Sequence, residues 1–334
     1  MTIKHSVALS LQAPVDAANR LQRSIWAEEQ GYESVFITDG GGRMDGFTIA
    51  GAIAARTSRI RLCMSIVPVY TRPVAVFATS AMTMSHLATD RFVLGLGSST
   101  HAMIEGWYGM PFFKPKTRVK ETIELLRKML AGEKSDYDGE TVHSHNFKLG
   151  TPVMGEVPIH VAALRPGMLE MAGEMADGVM LNLAPLDVLP RMLEAIDKGA
   201  KRSGRRVEDL EVSTLLNTFV TNDVAAAEQD FRNVAAFYYS TPVYNKFLRW
   251  VGYEKEAAQI EEGFRRKDRN MTLGAFDSEL IHKFAVIGTA EQCRDRVRAY
   301  WKAGVQTPAV NGASTNHDIF KATIGEFTPA KMAG

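Results

Sequence analysis

The feature that most constrains this chain is an alternation. Short apolar runs rich in β-formers are separated by longer segments of helical periodicity. The runs are Ser6–Leu11, Ser34–Thr38, Ile60–Ser65, Phe92–Gly97, Ile159–Ala162, Gly178–Leu183, Leu210–Val220 and Thr307–Asn311. Amphipathic segments lie between them at Val15–Gln30, Pro73–Ala88, Lys116–Leu130, Gly167–Ala176, Pro185–Ser203 and Ala290–Ala303. In the first of these, Ala18, Leu21, Ile25 and Ala27 share a face, and Gly31 is placed to end the helix. Strands that are apolar along most of their length suit a parallel sheet covered by helices. Eight such strands with intervening helices predict an α/β fold, a (β/α)8 TIM barrel, and 334 residues hold one with insertions. A single domain over 1–334 follows, with a doubly wound sheet as the rival.

Three stretches exceed simple connections. Residues 98–115 follow the fourth strand and are rich in Gly, aromatic and Met residues. Residues 135–155 carry the turn Tyr137-Asp138-Gly139-Glu140-Thr141, which reads as a small hairpin. Residues 238–284, after the seventh strand, have a helical pattern and a charged run at Arg265–Arg269. Long insertions after barrel strands serve as lids or partner surfaces.

Composition narrows the class. Lys plus Arg is 39 against 38 for Asp plus Glu, a net charge of +1, so no basic footprint marks a nucleic-acid or membrane partner. The cysteines, Cys63 and Cys293, stand far apart, which excludes a disulfide framework and fits a reducing cytoplasm. The start is not followed by the apolar run of a secretory signal, and no run reaches the length of a membrane span. A cytoplasmic enzyme acting on a small molecule is expected.

In a barrel the residues just after each strand face the active site. Thr38-Asp39-Gly40-Gly41-Gly42 offers an acceptor and glycines that permit positive φ; it reads equally as a flexible loop with an Asx turn. Arg72, ahead of Pro73, is placed either to hold a carboxylate or neighbouring loop, or in an ordinary β-to-α connection. Gly95-Leu96-Gly97-Ser98 lacks the third glycine of a dinucleotide fingerprint and suits a small-residue loop under a flat ring. Ala163-Leu164-Arg165-Pro166-Gly167-Met168 opens into a helix, so free N–H groups and the Arg165 guanidinium can meet an anion; the alternative is a solvated arginine on a plain turn. His143 and His145 alternate in the hairpin with no third ligand in view, so no metal site is expected. There is no His-Glu-x-x-His and no Gly-x-Ser-x-Gly, and no catalytic acid–base pair stands out.

These strand-end loops, in this order, resemble the bacterial luciferase-like family of flavin- and deazaflavin-dependent barrel oxidoreductases. The likeness runs from about Ile3 to Phe327. It rests on Ile37-Thr38-Asp39, Pro68-Val69-Tyr70-Thr71-Arg72-Pro73, Asp90–Gly97, Arg118–Arg127, Met168–Gly178 and Phe284–Thr289. Within the family the chain is most similar to the methylenetetrahydromethanopterin reductase branch. That resemblance implies coenzyme F420 as cofactor, with FMN as the alternative, a small organic substrate and a homodimer. It also implies a cofactor pocket of Asp39, Ser65, Ile66, Gly97, Ser98, Ala163, Leu164, Arg165, Pro166, Gly167 and Met168, with a cis Ser65–Ile66 peptide behind the ring. Where related enzymes carry proton donors this chain has Gly40, Ser98 and Ala8. An FMN monooxygenase and a non-catalytic cofactor-binding protein remain the rival readings.

Overall fold

The computed structural model describes residues 5–42, 44–312 and 314–333. Its strands are β1 (Ala8–Ser10), β2 (Ser34–Ile37), β3 (Arg61–Met64), β4 (Val67–Pro68), β5 (Phe92–Gly97) and β6 (Asp136–Asp138). They continue with β7 (His143–His145), β8 (Ile159–Ala162), β9 (Gly178–Asn182), β10 (Glu211–Val220), β11 (Ala285–Gly288) and β12 (Thr307–Gly312). β1, β2, β3, β5, β8, β9, β10 and β12 form one parallel ring. It closes because β10 pairs with β9 along one edge and with β12 along the other. The eight apolar runs read from the sequence are these eight strands, and closure removes the doubly wound alternative.

Two short strands were not among those runs, and both relay a neighbour that ends early. β3 pairs with β5 only at Leu62–Phe92 and Cys63–Val93, and β4 takes over at Val67–Leu96 and Pro68–Gly97. β11 pairs with β10 over Asn217–Val220, beyond the stretch that β9 reaches. The 135–155 stretch contains the antiparallel β6–β7 hairpin. The 238–284 insertion is helical as expected, at Pro242–Trp250, Glu254–Arg266, Arg269–Leu273 and Ser278–Phe284. The 98–115 stretch is not all loop: Ala102–Trp107 forms a π-helical turn. No described helix is long and apolar enough to cross a membrane, and no described His, Cys, Asp or Glu residues group to hold a metal ion.

Alternation along the strands divides the apolar side chains in two. One set, including Leu9, Val35, Leu62, Leu94, Val161 and Leu216, packs outward under the helices. The other, Ala8, Phe36, Cys63, Val93, Met180, Leu215 and Ala309, fills the barrel interior. Below that layer, at the N-terminal ends of the strands, lies a polar plug. Arg61 meets Glu211 at 2.9 Å, Thr307 donates to Glu211 at 2.8 Å, and the buried His160 stands 3.9 Å from the same carboxylate.

The plug makes stability depend on pH. Burial pushes the His160 imidazole down; the pull of Glu211 does not offset it, and Arg61 adds to the lowering. Burial acts to raise the Glu211 carboxyl, but His160, Arg61 and the hydrogen bonds from Arg61 and Thr307 leave it below the ordinary carboxylate range. Both groups therefore bind fewer protons folded than unfolded. The His160 contribution is whole above the ordinary imidazole value of 6.5 and is lost as pH falls below it. The Glu211 contribution is lost at lower pH still. Urea midpoints should fall between about pH 7 and about pH 5. His160→Asn should flatten that decline; an equally steep decline in the variant would show that the imidazole is not its source.

Candidate active site

The C-terminal ends of the barrel strands form a mouth lined by small and amide side chains. After β2, Asp39 is buried and both its oxygens have protein partners. Gly46 N–H donates to Oδ1 at 2.6 Å, and Arg72 donates to Oδ2 at 2.6 Å and to Oδ1 at 3.3 Å. Arg72 also meets Asp45 at 2.5 Å and lies 5.0 Å from the Phe47 ring. Burial acts to lower the Arg72 guanidinium's pKa, yet its bonds to Asp39 and the charges of both aspartates hold it raised. Of the two sequence readings, Arg72 is the group that holds a neighbouring loop. Asp45 in turn caps the helix Gly46–Ala54 through Thr48 N–H at 2.8 Å.

After β3 the chain turns through a cis Ser65–Ile66 peptide, as the family likeness implied. The Ile66 side chain lies on Gly97. A Cβ at Gly97 would come within 2.9 Å of Ile66 Cδ1 and 3.2 Å of Ala162 Cβ, so a larger residue there would collide. Ser98 follows, half-buried, its hydroxyl 3.3 Å from the Ser99 carbonyl. Ile66 in the turn after β3, Gly97 at the end of β5 and Ala162 at the end of β8 thus form a low apolar shelf.

Beyond β8, Ala163 is buried, Leu164 half-buried and Arg165 exposed. Arg165 occupies the N-cap position of the helix Pro166–Met175, which has no side-chain cap. Its carbonyl accepts from Met168 and Leu169, both at 2.9 Å. The nearest helix carboxylate, Glu170, is taken by Lys198 at 2.8 Å and Arg202 at 2.6 Å. Arg165 has no side-chain partner among the described residues. Gly167, the second residue of this uncapped helix, presents a backbone N–H beside it.

Sequence reasoning missed three asparagines at this end of the barrel. Asn311 donates to Asn217 Oδ1 at 3.0 Å, and Asn182 donates to Tyr244 Oη at 2.7 Å. The Oδ1 atoms of Asn182 and Asn311 and the hydroxyl of Thr38 are buried without a hydrogen-bond partner. A buried polar atom left unpaired costs about 1–3 kcal/mol. Such atoms at a barrel mouth are waiting acceptors for a polar ligand. The signal was present, since each asparagine interrupts an apolar strand near its end. The remaining titratable pair at the mouth is His101 with Glu105, at 2.9 Å on the segment after β5.

A closed parallel barrel with a small-residue shelf and unpaired amide oxygens at its C-terminal mouth is the frame of a barrel enzyme. Residues 2–307 match the luciferase-like monooxygenase family, and the chain belongs to it. It is an oxidoreductase. It is 30% identical over 298 residues to the 5,10-methylenetetrahydromethanopterin reductase of Methanolobus tindarius, covering 89% of this chain and 90% of that one. Its fold matches the coenzyme F420-dependent tetrahydromethanopterin reductase of Methanopyrus kandleri with a TM-score of 0.82 at 24% identity, over 98% and 99% of the two chains. An F420-dependent secondary alcohol dehydrogenase, solved with an F420–acetone adduct, matches with a TM-score of 0.82 at 18% identity, over the same shares.

The Asp39–Arg72 pair gives a direct test of how the mouth is held. Arg72→Ala leaves Asp39 buried with one backbone donor and should cost about 3 kcal/mol in urea unfolding. Asp45→Asn, at a half-exposed carboxylate, should cost under about 1 kcal/mol. Equal effects would mean that the Asp39 side of the pair contributes nothing special.

Proposed function

We propose that this chain is a coenzyme F420-dependent oxidoreductase that moves a hydride between the deazaflavin and a small organic substrate. It would work as a single (β/α)8 domain and as a homodimer in the cytoplasm. The relatives named above support the cofactor, and the shelf of Ile66, Gly97 and Ala162 is the observation that carries the reading. A flat ring needs a level support without bulky side chains, and here two of the three positions are Gly and Ala. Ser65, Ile66, Gly97 and Ser98 would carry the ring, with Asp39 bracing the adjoining loop. Ala163, Leu164, Arg165, Pro166, Gly167 and Met168 would hold the anionic tail, through backbone donors and the unpaired guanidinium.

The bound deazaflavin would supply two electrons as a hydride at one ring carbon. The protein's share is position and the exclusion of water. Gly40 carries no side chain, and the Ser98 hydroxyl is too weak an acid to serve alone near neutral pH. A required proton would come from solvent, from the substrate or from the His101–Glu105 pair.

Titration of the protein with F420 and with FMN, followed by absorbance and fluorescence, tests the reading. Tight binding of F420 and weak binding of FMN is expected; the reverse order would favour a flavin monooxygenase, the chemistry in the family's name. Arg165→Ala should weaken F420 binding by about five- to a hundredfold, the loss of one charge-assisted contact of about 1–3 kcal/mol. The loss should shrink for a fragment lacking the phosphate. Equal binding by variant and wild type would make Arg165 a surface residue. Ser98→Ala should keep turnover within about tenfold, roughly 1.4 kcal/mol of barrier. A thousandfold fall with intact F420 binding would make Ser98 a catalytic residue.

A further inference from the structure

The chain between β5 and the helix Pro115–Leu130 crosses the glycine-rich loop that follows β2, and the way it is held there is unusual. Ile104 anchors its first half in the core. At its far end the Tyr70 hydroxyl donates to Phe113 O at 2.7 Å, and Lys114 pairs with Glu140. Between these anchors, residues 105–111 are all exposed. Among the described residues, their one hydrogen bond to the β2 loop is from Gly41 N–H to Tyr108 Oη, at 3.2 Å.

The seat of that hydroxyl exists because residue 40 is glycine. Gly40 has φ +84, and a Cβ there would lie 2.9 Å from Tyr108 Oη, with the Pro68 ring next at 3.8 Å. A side chain at 40 and the phenol of 108 therefore compete for one volume. Met103 and Trp107 support the same contact, 3.6 and 3.9 Å from where a Cβ of Gly41 would stand. The strap also turns through left-handed backbone. Ser99, Gly109 and Lys114 have φ of 60, 63 and 45, a left-handed region that serine and lysine seldom adopt.

We propose that residues 105–111 form a lid beside the mouth and that Tyr108 is its latch, closed by seating the phenol in the space left by Gly40. When Tyr108 is seated, Trp107 and Met103 lie over the β2 loop; when it swings out, the strap keeps internal bonds such as Phe112 N–H to Glu105 and Met110 N–H to Ile104 O, both at 3.0 Å, but loses its tie to that loop. The proposal rests on the reading above only for what passes beneath the lid.

Hydrogen exchange of the whole protein, read by mass spectrometry at millisecond and longer times, tests the latch. Tyr108→Ala should speed exchange across 105–111 by about tenfold, with barrel-strand peptides unchanged. Gly40→Ala should do the same, and in a Tyr108→Ala background should add no more than the backbone strain of its positive φ, because the group its Cβ meets is gone. Gly42→Ala is the control: it has φ +70 but no atom within 4 Å of the added Cβ, so its effect should be equal in both backgrounds. Unchanged exchange in Tyr108→Ala, an unprotected wild-type strap, or a Gly40→Ala effect as large without the phenol as with it would each overturn the proposal. Oxidised F420 should also associate at least about threefold faster with Tyr108→Ala; a freed strap with an unchanged rate would deny it the part of a lid. If the wild type binds no F420, the cofactor reading fails and the exchange cycle still decides the latch.

Discussion

Every feature of the mouth depends on β10 being hydrogen-bonded along both edges. Its first half closes the ring against β9, its opposite edge is paired with β12 from Ser213 to Thr218, and its upper end carries β11. A strand ten residues long can do this because the barrel is staggered: neighbours that end at different heights leave room for a second partner. If β10 lost one edge, the strand ends would splay. Asn217 would then part from Asn311, and the shelf of Ile66, Gly97 and Ala162 would lose its fixed curvature.

The two ends of the barrel use polar groups in opposite ways. At the base, Arg61 and Thr307 both donate to Glu211 in a buried plug, with His160 held 3.9 Å from the same carboxylate and its Nδ1 unpaired. At the mouth, Thr38, Asn182 and Asn311 leave buried polar atoms unpaired. The charges near the mouth are largely spent on holding loops: Asp39 on Arg72, His101 on Glu105, and Lys114 on Glu140. Arg165 is the exception, and it stands at an uncapped helix start, where the local field already favours an anion.

Much of this was legible in the sequence, and the limits were physical. Strand placement was legible because buried parallel strands are largely apolar, as β2, β5, β8 and β9 show; β10, half of whose ten residues are polar, is an exception. β4 was hidden because two residues, one a proline, carry no periodicity. β11 was hidden because its four residues, Ala285–Gly288, continue straight on from the helix Ser278–Phe284 with no break between them. The type and position of Asp39 marked it as important, but its partner lies 33 residues on, and no local pattern joins them. The asparagines were visible only as exceptions within apolar runs. The cis bond at Ser65–Ile66 came from the family likeness and not from any spacing rule. The seat that Gly40 makes for Tyr108 is a contact between two loops, and only the folded chain brings them together.

In the proposed function, electrons leave this mouth as a hydride to an organic molecule and not to oxygen. The most direct measurement loads the protein with reduced F420 without oxygen, then adds a panel of acceptors: a methylene-tetrahydropterin, a simple ketone and a sugar lactone. The expected result is that the deazaflavin absorbance returns with one acceptor, with one molecule reduced per cofactor oxidised, and that admitting oxygen alone leaves it unchanged. Rapid oxygen uptake by protein loaded with reduced FMN, yielding an oxygenated product while F420 stays inert, would contradict it.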